Sequence, residues 1–292
     1  MKPTLFLDAP SLAYRAFFGV PRTIVDRAGH PVNAVRGYLD MLATLYETRG
    51  PGKIVSVFDK DWRPQFRVDA YAGFKSERPE EPPELTWQFR LLNDVLDALG
   101  MVRVESPGLE ADDAIATLAG RVHGDERAYV VTGDRDLLCL VRDPSVRLLF
   151  TLKGVRELKE FDEAMVEETY GIPPDLYVQF AILRGDPSDG LPGVPGIGPK
   201  SAVKLLREFG SIDGIQANLD KLPPRQASAF ERSADYLKAM QTVVPPVTEA
   251  PIEATDPGPP DLGMIQALAT DHNLEGPLKR LQQAREGSSP GS

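Results

Sequence analysis

The chain has one cysteine, Cys139, in 292 residues, and its three histidines, His30, His123 and His272, stand far apart. A single thiol excludes a disulfide framework and a thiolate zinc site, and the scattered histidines have no metal-ligand spacing. Cys139 lies in DLLCLV, which reads as a helix with the cysteine as a small buried hydrophobe. No run of 18 apolar residues occurs, and MKPTLFLDAPS has neither a basic leader nor a long apolar stretch after it. The expectation is a soluble, cytoplasmic protein. Basic excess is also lacking. The net charge is −10, which taken alone argues against a phosphate-rich partner. No internal repeat is visible. What is present is an apolar fraction of 42%, enough for a substantial core in one large domain or two modest ones.

The first half alternates short apolar runs with amphipathic segments. TLFLD (4–8), KIVSVFD (53–59), MVRVES (101–106), AYVVTGD (128–134) and VRLLF (146–150) read as buried strands. Helical patterns lie between them at about 33–49, 85–99, 110–122 and 134–141. This alternation predicts an α/β fold, with a mainly parallel central sheet and helices on both faces. One stretch breaks the rhythm. DWRPQFRVDAYAGFKSERPEEPPEL (61–85) is rich in arginine, proline and aromatics and reads as a long functional loop with too little apolar content to pack as core. Beyond residue 161 strands vanish from the pattern, and helices are expected at 161–170, 174–184, 199–208 and 223–241. A proline-rich strap (245–261) leads to a final helical pair at about 262–285 that packs back on the body, and EGSSPGS reads as a disordered tail.

Three predicted strands end in aspartate: Asp8, Asp59 and Asp134. In a parallel sheet all strand C-termini share one edge, so these distant residues are expected to converge. Asp136 follows two residues later, and Glu110, Asp112 and Asp113 open the helix EADDAIATLAGRV, whose buried stripe is Ala111, Ile115, Leu118 and Val122. At about 100° per residue, Glu110 and Asp113 fall on neighbouring faces, while Asp112 is about 160° from Glu110. A regular helix cannot aim all three at one point. Either Glu110 precedes the first turn or the acids serve different partners. With Asp186 and Asp189 the set numbers nine carboxylates. Crowded on one edge they repel unless their pKa values rise or cations compensate them. Hard divalent ions do so with oxygen ligands alone.

GDPSDGLPGVPGIGPKS (185–201) nearly spells a phosphate-binding P-loop. Gly193 and Gly198 have the right separation, but Pro199 stands where the lysine belongs, and a helical pattern rather than a strand runs into the loop. An EF-hand is excluded because Ile197 occupies the position that requires a bidentate glutamate.

LFLDAPSLAYRAFF, FKSER, GLEADDAIATLA, VVTGDRDLLCLV and GDPSDGLPGVPGIGPKSAVKLL, in that order over residues 4–208, resemble the flap endonuclease / 5′-nuclease family. The likeness is to the bacterial 5′-3′ exonuclease that often forms the N-terminal domain of DNA polymerase I, here in its stand-alone length. The resemblance implies a PIN/5′-nuclease-like core over 1–160 with an arch insertion at about 61–85. It also implies a helical DNA-binding region over 161–285 with a helix-hairpin-helix at about 185–208, and a tail at 286–292. It implies two Mg²⁺ or Mn²⁺ ions, one held by Asp8, Asp59 and Glu110, the other by Asp134, Asp136, Asp186 and Asp189, with Asp112 between them. Asp113 matches an acid of the bacterial branch. Lys75 and Arg78 match the arch cations that stabilise charge on the phosphate, Arg67 contributes to that arch, and Phe74 stands where a base-stacking tyrosine is usual. Gly196 and Gly198 let backbone approach a DNA phosphate, Lys200 adds charge, and K⁺ can bind the hairpin carbonyls. Implied substrates are branched or 5′-ended DNA and RNA–DNA hybrids, cleaved by a monomer in bacterial replication and repair, with no membrane role.

Two departures from the family pattern stand out. Ala9-Pro10 replaces the usual glycine after the first aspartate, with Ala9 expected to be extended because a proline follows it. SDG replaces SDN, which removes an asparagine side chain at Gly190. These changes favour, as the alternative, a catalytically weakened DNA-binding protein. A metallophosphatase for small esters would use similar strand-end acids but leaves the hairpin unexplained.

Overall fold

The computed structural model describes residues 2–256 and 258–287. The described residues form a seven-stranded sheet of order β6-β5-β4-β1-β2-β3-β7. Its strands are β1 (Thr4–Asp8), β2 (Lys53–Val57), β3 (Val102–Glu105), β4 (Ala128–Thr132), β5 (Val146–Thr151), β6 (Leu158–Phe161) and β7 (Glu253–Ala254). The first five are mutually parallel, and β6 and β7 close the two edges antiparallel. β1 sits at the centre, buried after its first residue. That is why its sequence is almost continuously apolar rather than alternating.

Alternate strand residues feed two cores. Phe6, Val55, Val57, Val104, Val130 and Leu148 face α5 (Ala111–Gly120), α7 (Tyr177–Arg184) and α8 (Pro199–Phe209). Leu5, Leu7, Ile54, Val131 and Leu149 face the other way. They meet α1 (Ala9–Gly19), α2 (Asn33–Arg49), α4 (Pro83–Ala98), α12 (Leu262–Asp271) and α13 (Glu275–Gly287). The final helical pair therefore belongs to the core beneath the sheet. The remaining helices are α3 (Gln65–Ala70), α6 (Glu163–Tyr170), α9 (Ile212–Gln216), α10 (Pro224–Arg232) and α11 (Ala234–Val243).

The structure departs from the sequence reading in several places. Ala9 is not extended but begins α1, with Pro10 in its first turn, where a missing N–H has no helical partner to lose. Residues 136–140 form a 3₁₀ turn rather than an α-helix. Strands do not end at 161, because the proline-rich strap supplies β7, too short to show a period of two. Ser233 divides the expected 223–241 helix into two. The 61–85 stretch is not a coreless loop: it contains α3, and Phe74, 3% exposed, joins the main core. Of the expected tail, Glu286 and Gly287 are helical, and 288–292 lie outside the described residues.

Candidate active site

The C-terminal ends of β1, β2 and β4 open on a groove of about 1500 Å³ lined by Asp8, Asp59, Glu110, Asp112, Asp134, Asp136 and Asp186, with Lys75 and Arg78. A smaller pocket of about 50 Å³ on its floor adds Asp189, Arg67 and Phe74. Eight of the nine acids thus share one surface.

Local chemistry holds each acid in place. Asp8 caps α1: it accepts the Ser11 N–H at 3.0 Å and the Thr132 hydroxyl at 2.5 Å. The Thr132 oxygen accepts the Asp134 N–H at 2.8 Å, so the ends of β1 and β4 are tied through one threonine. Asp59 accepts the Ala111 N–H at 2.7 Å and so caps α5 from another strand. Glu110 precedes the first turn of α5 with extended backbone (φ −84°, ψ 164°), which frees it from the helical geometry that separates it from Asp112. Asp134 accepts the Asp136 N–H at 2.9 Å, and Asp186 accepts both the Ser188 N–H and hydroxyl.

Asp113 is the exception. It is fully buried, receives the Arg67 guanidinium through bonds of 2.8 and 2.6 Å, and accepts the N–H groups of Glu110 (3.1 Å) and Val247 (2.8 Å). It faces away from the groove and fixes the mouth of α5 to the strap. Arg67 is also misplaced by the sequence reading. It is 3% exposed and spans Asp113, Glu110 and the Val243 carbonyl, so it braces the acid site from behind instead of presenting to DNA. Phe74 offers no open face to a base, since it is buried under the groove floor. Sequence alone carried no signal for these three, because their partners lie in the strap or deep in the core.

Electrostatics follow from burial. Burial pushes Asp8 up to about 7, with Asp134 and Asp59 adding repulsion against the hydrogen bonds from Thr132 and Ser11. Burial pushes Asp136 up to about 7, helped by Asp134. Asp59 is pushed up to about 6 by burial, and burial with the charges of Asp134 and Asp8 raises Asp112 well above the carboxylate range. Burial works against the Lys75 charge, but Glu110 and Asp189 outweigh it and hold the lysine above its ordinary value. Lys75 pairs with Glu110, and Arg78 with Asp189 at 2.7 Å. Among the described residues no three potential ligands already close on one point at metal-binding distance. Glu110 is drawn to Lys75 and Arg67, and Asp189 to Arg78.

The loop carrying Lys75 is locked to the segment carrying Asp189. The Lys75 N–H donates to the Asp189 carbonyl at 2.9 Å, and Lys75 itself has a positive φ of 51°. Gly190, at φ +73°, packs against Gly73 so closely that any Cβ would overlap the Gly73 carbonyl oxygen. Glycine at this position is therefore a consequence of loop docking.

The hairpin lies beyond the groove lining. Ile197 anchors its tip in the core, while Gly196 (φ +81°), Gly198 and Lys200 are exposed. No side chain caps the first N–H groups of α8. Tyr236 clamps the hairpin base: its hydroxyl accepts the Gly193 N–H at 3.1 Å and donates to the Ile182 carbonyl at 3.0 Å.

Residues 3–171 match the family model for the 5′-3′ exonuclease N-terminal resolvase-like domain, and residues 172–258 match that for the 5′-3′ exonuclease C-terminal SAM fold. The chain is 43% identical to a 5′-3′ exonuclease of Streptomyces coelicolor over 95% of its own length and 98% of that protein's. It is 40% identical to the DNA polymerase I of Mycobacterium bovis over 93% of its length, which is 30% of that polymerase. In fold it matches the bacteriophage T5 flap endonuclease, solved as a pseudo-enzyme-product complex with DNA and metal ions. That match has a TM-score of 0.67 at 19% identity, covering 98% of this chain and 99% of the other.

Proposed function

Since the chain belongs to the 5′-3′ exonuclease family, we propose that it is a metal-dependent, structure-specific 5′ nuclease that hydrolyses phosphodiesters at 5′ flaps and 5′ ends. Its substrates are branched or 5′-ended DNA and RNA–DNA hybrids, in replication and repair. The observation that carries this reading is the groove. It gathers acids separated by up to 181 positions, from Asp8 to Asp189, on one surface. Several of them are too buried to ionise comfortably unaided.

The donor set fits hard divalent cations, because it consists of carboxylates with no histidine or thiolate. Asp8, Asp59 and Glu110 would hold one Mg²⁺ or Mn²⁺ and Asp134, Asp136, Asp186 and Asp189 a second, with Asp112 between. Such ions, when bound, lower the pKa of an attacking water and neutralise charge on the phosphate and leaving oxygen. The protein's own contribution is positional. Lys75 and Arg78 enter the groove from the 61–85 insertion, where a phosphate would meet two cations at fixed stations. Thr132 and Ser11 hold the Asp8 carboxylate and the start of the 133–136 loop in one register. The hairpin tip and the uncapped start of α8 supply backbone N–H groups and Lys200 to duplex phosphates, with carbonyls for K⁺.

Cleavage of a 5′-flap duplex in Mg²⁺ or Mn²⁺, with product lengths resolved, tests the proposal. Activity that is lost on chelation and in Asp134→Ala is expected. Tight flap binding with no cleavage in any divalent ion would overturn it in favour of a DNA-binding protein.

A further inference from the structure

Asp186 and Asp189 sit on a short loop whose neck is closed by backbone. Asp186 and Leu191 each donate an N–H to the other's carbonyl, at 2.9 and 2.8 Å, and the Val194 N–H donates to the Leu183 carbonyl at 3.0 Å. Gly185 and Gly193 approach so closely that a Cβ on either would overlap backbone across the neck. A side chain of α11 spans the same neck. The Tyr236 hydroxyl accepts the Gly193 N–H on the hairpin side and donates to the Ile182 carbonyl on the α7 side.

The same tyrosine reaches the 61–85 insertion. Its ring meets that of Tyr71 edge-to-face, with centroids 6.3 Å apart and planes at 81°. Tyr71 follows the last turn of α3, and its ring lies over Gly73, where an added Cβ would fall 2.6 Å from a ring carbon. Gly73 in turn abuts Gly190, and the Lys75 N–H reaches the Asp189 carbonyl. The contacts close a circuit: hairpin base, Tyr236, Tyr71, the loop of Lys75, the loop of Asp189, and the hairpin base again. A second tie holds α3 to α11 about two turns further along, where Arg67 donates to the Val243 carbonyl. In a packed circuit of this kind no member shifts without straining the others.

We propose that Tyr236 is a positioning residue that makes the hairpin and the groove's lysine one rigid unit, and so determines which phosphodiester is cut. The inference rests on the nuclease reading above, in which the hairpin holds duplex while the acids and Lys75 act at the scissile phosphate. The cut position is then the offset between those two places. Tyr236 fixes that offset without touching DNA. Its hydroxyl favours one offset over its neighbours by the net worth of the hydrogen bonds it makes. Small misplacements of a reacting group are costly, so the offset is read out as the site of cleavage.

The full chain, Tyr236→Phe, Tyr71→Leu and Tyr71→Phe are compared on a 5′-flap duplex in Mg²⁺, with product lengths resolved to the nucleotide. Tyr236→Phe keeps the ring and removes the hydroxyl. Its ratio of neighbouring to main product rises roughly 2- to 13-fold, the factor for loss of one such hydrogen bond. Tyr71→Leu broadens the products likewise, and Tyr71→Phe, which keeps the edge-to-face ring, does not. Ile265→Val, a core change of comparable cost on the opposite face of the sheet, controls for stability and leaves product lengths unchanged. An unchanged distribution in Tyr236→Phe, or equal broadening in Ile265→Val, overturns the positioning role. If wild type cleaves nothing, the nuclease reading fails and the cut-site claim falls with it. The rigid unit is then decided by amide hydrogen exchange, where Tyr236→Phe must speed exchange at the Lys75 N–H as well as at Gly193. Exchange at Lys75 equal to wild type overturns it.

Discussion

Arg67 provides a sharp test of how the acid site is built. Its guanidinium makes two bonds to Asp113 and one to Glu110, and it holds the Val243 carbonyl at 2.9 Å, all at 3% exposure. Arg67→Met keeps most of the volume but strands the fully buried Asp113 without a counter-charge. Removing one partner of such a pair costs about 3–5 kcal/mol, a large share of the roughly 5–15 kcal/mol that holds a domain together. Urea denaturation should therefore show a lower midpoint, by about that free energy. Asp113→Asn alone leaves Arg67 still paired to Glu110 and should cost less. In the double variant the buried charge that made the single change costly is gone. The two effects should therefore overlap by about 1 kcal/mol or more in a double-mutant cycle. A loss below about 1 kcal/mol for Arg67→Met, or strict additivity in the cycle, would refute the bracing role and return Arg67 to the DNA-contacting cations.

Three further outcomes follow from the geometry. In the ion-free protein the folded pKa values of Asp8 and Asp136 (about 7) and Asp59 (about 6) lie above the ordinary 3.8. These groups leave stability intact below about pH 4 and reduce it as pH rises toward 7, because the unfolded chain ionises first. Thermal melts with chelator should show this decline, and millimolar Mg²⁺ or Mn²⁺ should raise Tm most at pH 7 and above. Gly190→Ala places a Cβ on the Gly73 carbonyl at a positive φ, so it should cost roughly 1–3 kcal/mol by calorimetry and lower cleavage further by moving Lys75 away from Asp189. Gly190→Asn should fare no better. Finally, Lys75 occupies Glu110 in the ion-free site. Lys75→Met should therefore bind Mn²⁺ more tightly by titration calorimetry while cutting more slowly. Weaker Mn²⁺ binding would contradict the displacement of lysine by metal.

Much of the scaffold was legible because it depends on local pattern. Five apolar runs separated by helical spacing announced a parallel sheet, and aspartates at three run ends announced a shared edge. In GDPSDG and the glycine-proline stretch after it, residue spacing alone excluded a P-loop and an EF-hand, and the hairpin reading came from the family resemblance. The angular argument at 110–113 resolved in one direction: Glu110 stands before the first turn, where it shares the Arg67 guanidinium with the buried Asp113.

The burial of Arg67 and Phe74, the retreat of Asp113 and the need for glycine at 190 were not legible. Each depends on a contact with chain far away in sequence: the strap at 243–247, the core, or Gly73 against Gly190. The amino-acid sequence by itself determined which residues form the five parallel strands, which acids end them, and that their donors are all oxygen. Periodicity and residue chemistry act over a few positions. Only the tertiary structure decided which charges face the groove and which brace it from behind. Desolvation and counter-charge at a site are set by everything packed around it, and a pattern read along one strand of chain holds no record of that packing.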